Sequence, residues 1–157
     1  MTNYIVTIKR ASTSNISEII KLRRFMFKSM GTTDNEKLDR MVEASKIFME
    51  EEIPRNGFIG WIAKDNSEEI IGTIGLVIDR HPPSPENLSG KIGYIMNLAV
   101  YPKYQNHGIA TKLLKICFEW LKEQGIRLVS LHASEEGKSL YINLGFVDSN
   151  EMRLKFT

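Results

Sequence analysis

The sequence predicts a mixed α/β fold in which helices pack against a central sheet. Three observations carry this reading. Apolar residues recur at helical spacing in four stretches, β-branched and aromatic residues cluster in seven short runs, and Gly, Pro and polar clusters separate them. The order is strand, two helices, three strands, helix, strand, helix and a closing strand pair, so both element types mix along the whole chain. With 157 residues, 42% hydrophobic and 25% charged, the chain can build one core that buries about 68–70% of the unfolded surface. We read residues 1–157 as a single domain.

Residues 5–9 read as a strand, because Tyr4, Val6 and Ile8 alternate with Thr7 and Lys9. Thr13, Ser14 and Asn15 offer N-caps for a helix to about residue 27 with an apolar face of Ile16, Ile19, Ile20, Met26 and Phe27. After Gly31, Thr33 and Glu36 have capping-box spacing, and Leu38, Met41, Val42, Ser45, Phe48 and Met49 follow a 3.6-residue period until Pro54 and Gly57. The pattern then turns extended. Residues 58–64 and 70–79 flank the polar turn DNSEE and read as an antiparallel hairpin. Pro82, Pro83 and Pro85 make residues 80–90 a loop, and a third strand over 93–101 stops at Pro102. A helix over 108–124 carries the stripe Ile109, Leu113, Leu114, Cys117, Trp120 and Leu121. Residues 127–132 form a strand, 135–144 a short helix, and 146–148 with 152–156 a terminal hairpin around Ser149 and Asn150.

Charge and composition exclude several function classes. Lys plus Arg is 21 and Asp plus Glu is 19, a net charge of +2 that argues against a strongly basic nucleic-acid binder, as does the lack of a basic stripe with interleaved aromatics. One cysteine cannot make an internal disulfide, and three separated histidines give no zinc spacing, so no metal is assigned. No run approaches the roughly 20 apolar residues of a bilayer span, and MTNYIVTIKR lacks a signal-peptide pattern. The expectation is a cytoplasmic protein with no membrane or nucleic-acid partner.

The strongest chemical signal is the stretch NLAVYPKYQNHGIATKLL. A strand ends at Val100, Pro102 turns the chain, and Gln105 to Gly108 lead into a helix. A helix start leaves backbone N–H groups unpaired at the positive end of the dipole. Gly108 allows close approach of a ligand, and Ala110 keeps the first turn uncluttered. These features suit a pyrophosphate, although an ordinary capped helix has the same outline. Neither a Walker loop nor a dinucleotide fingerprint is present.

This stretch resembles the acyl-CoA-binding segment of the GNAT superfamily of N-acetyltransferases, whose signature is Gln/Arg-x-x-Gly-x-Gly/Ala. Gln105, Gly108 and Ala110 stand at its fixed positions. Downstream, SEEGKSLYINLGF resembles the family's second segment, with Tyr141, Gly145 and Phe146 matching and Ser134 and Gly137 replacing the usual Asn and Ala. The motifs fall in the family's order, and the element order agrees over nearly the whole chain. The resemblance implies a mostly antiparallel, twisted sheet of about six to seven strands with a V-shaped splay, flanked by about four helices. It also implies acetyl-CoA as acyl donor, without a metal.

Carried over residue by residue, the resemblance implies that backbone groups of Leu98, Ala99 and Val100 pair with the pantetheine arm. N–H groups of Gln105, Asn106, His107, Gly108, Ile109 and Ala110 would hold the pyrophosphate, with a hydroxyl contact from Thr111. An N–H near Leu98 would support the oxyanion, and Tyr141 would protonate the departing thiolate. Taken alone Tyr141 reads as a core aromatic, but beside Leu140, Gly145 and Phe146 it reads as functional. Ser134, Lys138 and Lys112 are further cofactor candidates, while Phe27, Met30 and Asn97 border the acceptor side. Many relatives carry a carboxylate near the position of Asn97. Asn97 cannot act as a base, which leaves Glu86, His81, His132 or a bridging water. The acceptor is a small-molecule, protein or peptide amine, and a homodimer is possible, as in relatives. The rival readings are a non-catalytic acyl-CoA-binding module on the same fold and an unrelated α/β interaction domain.

Overall fold

The computed structural model describes residues 4–157. Five strands, β1 (Thr7–Arg10), β2 (Ile59–Lys64), β3 (Ile70–Arg80), β4 (Lys91–Val100) and β5 (Leu128–Leu131), form one sheet in sequence order. The helices are α1 (Ile16–Ser29), α2 (Asn35–Glu52), α3 (Ile109–Glu123) and α4 (Lys138–Asn143). Neighbours from β1 to β4 are antiparallel, and β4 and β5 are parallel.

The two faces of β2 show how the sheet divides the core. Phe58 and Ile62 join Ile16, Ile19 and Ile20 of α1 and Met49 of α2. Ile59, Trp61 and Ala63 instead join Ile109, Leu113, Leu114, Cys117 and Leu121 of α3. This is the period-2 alternation of a strand buried on both sides. Leu140 and Tyr141 of α4, with Leu144 just after it, pack on the same side as α3. Helices α1 and α2 therefore cover one face, and α3 with α4 the other.

Local chemistry fixes the boundaries. β1 begins at Thr7, where pairing with Lys64 starts. A 3-10 turn over Thr13–Asn15 precedes α1, with the Ser12 N–H bonded to Asn15 Oδ1 at 2.9 Å. The cap of α2 is Asp34 and not Thr33, since its carboxylate accepts from the Glu36 and Lys37 N–H groups at 3.0 and 3.2 Å. A carboxylate there also complements the positive helix end. The hairpin of β2 and β3 turns on Asp65, whose Oδ1 accepts from the Ser67 and Glu69 N–H groups.

One expectation is corrected. Residues 146–148 and 152–156 form no strand, and the sheet has five strands rather than six or seven. Phe146 still meets Phe118 and Tyr141, but Val147, Met152, Leu154 and Phe156 point into solvent. A two-stranded hairpin with no sheet or helix beneath it is marginal in water, so the alternation of the tail does not suffice. Among the described residues, no helix is long and apolar enough to cross a membrane, and no three His, Cys, Asp or Glu side chains converge as a metal-ligand group.

Candidate active site

The sheet parts along β4. β5 pairs only with Ile92 to Ile95, whereas β4 continues to Val100 against β3. Beyond Ile95 the β5-facing edge of β4 is therefore open. At the same level the β3–β4 register shifts: Gly75 pairs with Met96 and Thr73 with Ala99, so one β3 residue opposes Asn97 and Leu98. Asn97 takes a left-handed conformation, φ 57°. Met96 packs toward the α1–α2 core and Asn97 reaches Arg23 on α1, so two consecutive side chains face one way, as a bulge requires. Leu98 then packs into the α3 core with partners in neither ladder, and Ala99 and Val100 are buried.

The loop after β4 is held from three directions. Tyr104 is buried, and its hydroxyl donates to Asp65 Oδ2 at 2.9 Å, joining the loop to the β2–β3 turn. Its ring and that of His107 both meet Tyr4, at 4.7 and 4.8 Å. The Gln105 side chain folds back, Nε2 donating to the Val100 carbonyl at 2.8 Å. The Gln105 N–H is also engaged, with Pro102 O at 3.2 Å, so it is not among the free donors expected from the sequence. Asn106 and Gly108 are left-handed, φ 64° and 78°, and aim the chain into α3. No side chain caps α3, and nothing lies within 4 Å of where a Cβ on Gly108 would stand. The first N–H groups of α3, through Ile109, Ala110 and Thr111, thus open onto free space, while the buried Ile109 side chain anchors the turn.

Tyr141 is half-buried on α4, its ring 5.7 Å from Phe146. Burial pushes its phenol above the ordinary tyrosine value, so it stays protonated. Tyr141 and Leu98 pack on the same core. Ser134 caps the turn into α4, its hydroxyl accepting from the Gly137 N–H at 3.1 Å. A Cβ on Gly137 would lie 3.1 Å from the Tyr141 ring, so glycine there leaves the ring its room. The Lys138 ammonium pairs with Asp148 at 3.3 Å, and Lys112 is exposed.

The acceptor side is less as the sequence suggested. Phe27 is half-buried, but Met30 is largely exposed beyond the end of α1. Glu86 and His81 lie beyond the Arg80–Lys91 pair, at the far end of β4, roughly 20 Å from Leu98 at about 3.4 Å per strand residue. That distance removes both as bases. His132 follows the last β4–β5 pair and is exposed at the opening, its Nδ1 3.3 Å from Arg153 Nη2. Arg23 is the residue the sequence reading missed. Its signal is positional: with Ile16, Ile19, Ile20 and Phe27 it falls on the apolar stripe of α1, where a charge is unusual.

A family model for the acetyltransferase (GNAT) family matches residues 19–146. The chain belongs to this family. A GCN5-related N-acetyltransferase structure from Ralstonia eutropha is 26% identical, covers 97% of this chain and 99% of that one, and superposes with a TM-score of 0.89. A predicted acetyltransferase with acetyl-CoA from Clostridium acetobutylicum is 27% identical, with 98% and 96% of the chains covered and a TM-score of 0.86. N-acetyltransferase 8B of Rattus norvegicus is 29% identical over 89 residues, 55% of this chain. This chain spans 38% of the length of that relative. The family match runs from α1 to Phe146 and so takes in the bulge, the loop before α3 and Tyr141 of this GNAT chain.

Proposed function

We propose that this GNAT family member transfers an acetyl group from acetyl-CoA to a primary amine by direct attack in a ternary complex. The observation that carries the reading is the parting of β4 from β5 beyond Ile95, which frees the edge at Leu98, together with an uncapped, open start of α3. The thioester supplies the activated acetyl group. The backbone of Leu98, Ala99 and Val100 offers its free edge to the pantetheine arm, and the N–H groups from Asn106 to Thr111 take the pyrophosphate. The Leu98 N–H supports the negative charge that develops on the thioester oxygen, a contribution worth about 2.7–4 kcal/mol in related acyl transfers.

The nitrogen–carbon bond forms first, moving the carbonyl electron pair onto oxygen, and collapse of that tetrahedral intermediate breaks the carbon–sulfur bond. Tyr141 gives its proton to the departing sulfur, and the proton lost by the amine leaves through water or His132. The single cysteine does not carry the acyl group, because Cys117 is fully buried and burial pushes its thiol up to about 12. Its burial supports direct attack, with alignment of the reactants as the main task of the protein.

Tyr141→Phe tests the assignment. Turnover should fall by roughly 10²–10⁴-fold with acetyl-CoA affinity nearly intact. Equal large losses of both would make Tyr141 structural. Initial-rate patterns should intersect, as a ternary complex requires, and parallel patterns would count against direct attack. Saturable acetyl-CoA binding with no amine-dependent thiol release would favour a non-catalytic binding module.

A further inference from the structure

We propose that the amine accepted at this site carries a carboxylate, and that Arg23 and Asn97 bind it; the proposal rests on the acetyl-transfer reading of the same site. Arg23 lies half-buried on α1, on the sheet face opposite α3. Its Nε donates to Ser45 Oγ at 3.1 Å, its Nη1 to Asn97 Oδ1 at 3.4 Å, and its guanidinium lies 4.9 Å from the Phe27 ring centroid. All three partners are neutral. No ion pair among the described residues includes Arg23, whereas the adjacent Arg24 pairs with Asp39 at 2.7 Å. Nη2 has no hydrogen-bond partner among the described residues. Burial pulls the guanidinium below its ordinary pKa, and no neighbouring anion offsets that effect.

Asn97 supplies the second observation. It is 3% exposed, and its Nδ2 is buried with no partner. The amide orientation follows from chemistry: a guanidinium only donates, so Oδ1 must face Arg23, which leaves the Nδ2 hydrogens unpaired. An unpaired buried donor of this kind costs about 1–3 kcal/mol. The long Arg23–Asn97 bond is the weak point of the arrangement. An anion drawn to the open Nη2 of Arg23 that also reaches Asn97 Nδ2 gives the one buried orphan donor its acceptor. A carboxylate fits because it is acceptor-only, presents two oxygens to the guanidinium fork, and matches the single positive charge.

Position ties this anion site to the reaction. Asn97 immediately precedes Leu98 at the bulge, and its side chain and the Leu98 side chain point to opposite faces. Because the two residues are adjacent in the bulge, a carboxylate held by Asn97 on its face sits one residue from the Leu98 N–H, a span suited to a compact amine. The matching acceptor class is a compact amino-carboxylate of the amino-acid type, as opposed to an amine with its charge far away.

The test compares each standard amino acid, β-alanine and 4-aminobutyrate with its carboxamide, using acetyl-CoA-dependent thiol release. At least one acid should exceed its amide 10-fold or more in kcat/KM. Arg23→Gln should collapse that ratio to near one, chiefly through KM for the acid. Arg23→Lys should restore part of it, and Asn97→Asp, which gives Arg23 an internal partner and keeps the packing, should collapse it as well. Amides equal to or better than acids, or an acid preference that survives in folded Arg23→Gln and Asn97→Asp, would overturn the proposal. Preference for a phosphorylated amine over every acid would overturn the carboxylate assignment. Should no amine release thiol, the acetyl-transfer reading fails separately. The anion site is then read by thermal shift with the N-acetyl amino acids and their amides: an Arg23-dependent shift for acids alone supports it, and equal or absent shifts refute it.

Discussion

The side-chain amide of Gln105 donates to the carbonyl of Val100 at 2.8 Å and so clamps the loop before α3 to the end of β4. The motif residue therefore contributes through the shape of the loop, since its own N–H is already bonded to Pro102 O. Gln105→Ala removes one partly buried bond, worth about 0.5–1.5 kcal/mol. Acetyl-CoA affinity, measured by calorimetry, should weaken by about 2–10-fold, and the melting temperature should drop only slightly.

Gly108 and Gly125 separate backbone strain from ligand space. Both are left-handed, φ 78° and 73°, and a Cβ on either would meet nothing within 4 Å. Valine at either position strains the backbone by about 1–3 kcal/mol. Gly108→Val also fills the space over the first N–H groups of α3, whereas Gly125 lies at the far end of that helix. Comparable losses of melting temperature are expected, with acetyl-CoA affinity falling at least 10-fold for Gly108→Val alone. Similar affinities in the two variants would count against the phosphate loop.

Cys117 reports global unfolding. Its thiol is raised from 9.0 to about 12 by burial, so the folded state holds the proton more tightly than the unfolded one. The resulting stabilisation is fully present below pH 9 and is lost as pH climbs through about 12. Alkylation at pH 8.5, on the order of an ordinary free thiol's pKa, should be negligible in the native protein and rapid in urea. Fast native labelling would contradict the packing of α3.

Asp65 sets the acid response of the loop anchor. Burial alone would raise its carboxyl, but the bonds from the Tyr104 hydroxyl and the Glu69 and Ser67 N–H groups outweigh this and hold it below the ordinary carboxylate value. Its contribution is therefore present above about pH 4 and fades as pH falls further. Tyr104→Phe should lower the melting temperature at pH 7. The difference from the unmutated protein should shrink below pH 4 (roughly the ordinary carboxylate pKa), as followed by circular dichroism.

Much of this architecture was legible in the residues. The stripe of α3 and the β2–β3 hairpin follow from a 3.6-residue period and from two β-branched runs about DNSEE, because each local preference agrees with its burial. The loop at Gly108 was legible because Pro102 and Gly108 act within a few residues of each other. The terminal hairpin was misread, since alternation states a preference and pairing needs a partner edge. Arg23 escaped because its meaning depends on Asn97, 74 residues away, and on a bulge that no short window contains. The exclusion of His81 and Glu86 likewise needed the length of β4.

The most direct test of the account is a calorimetric titration of the purified, CoA-free protein with acetyl-CoA at moderate salt, with Gly108→Val run beside it. The account expects saturable binding near one equivalent per chain, lost or at least 10-fold weaker in the variant. No binding to the folded protein, or equal binding to both, would leave the parted sheet and the uncapped start of α3 without the role assigned to them.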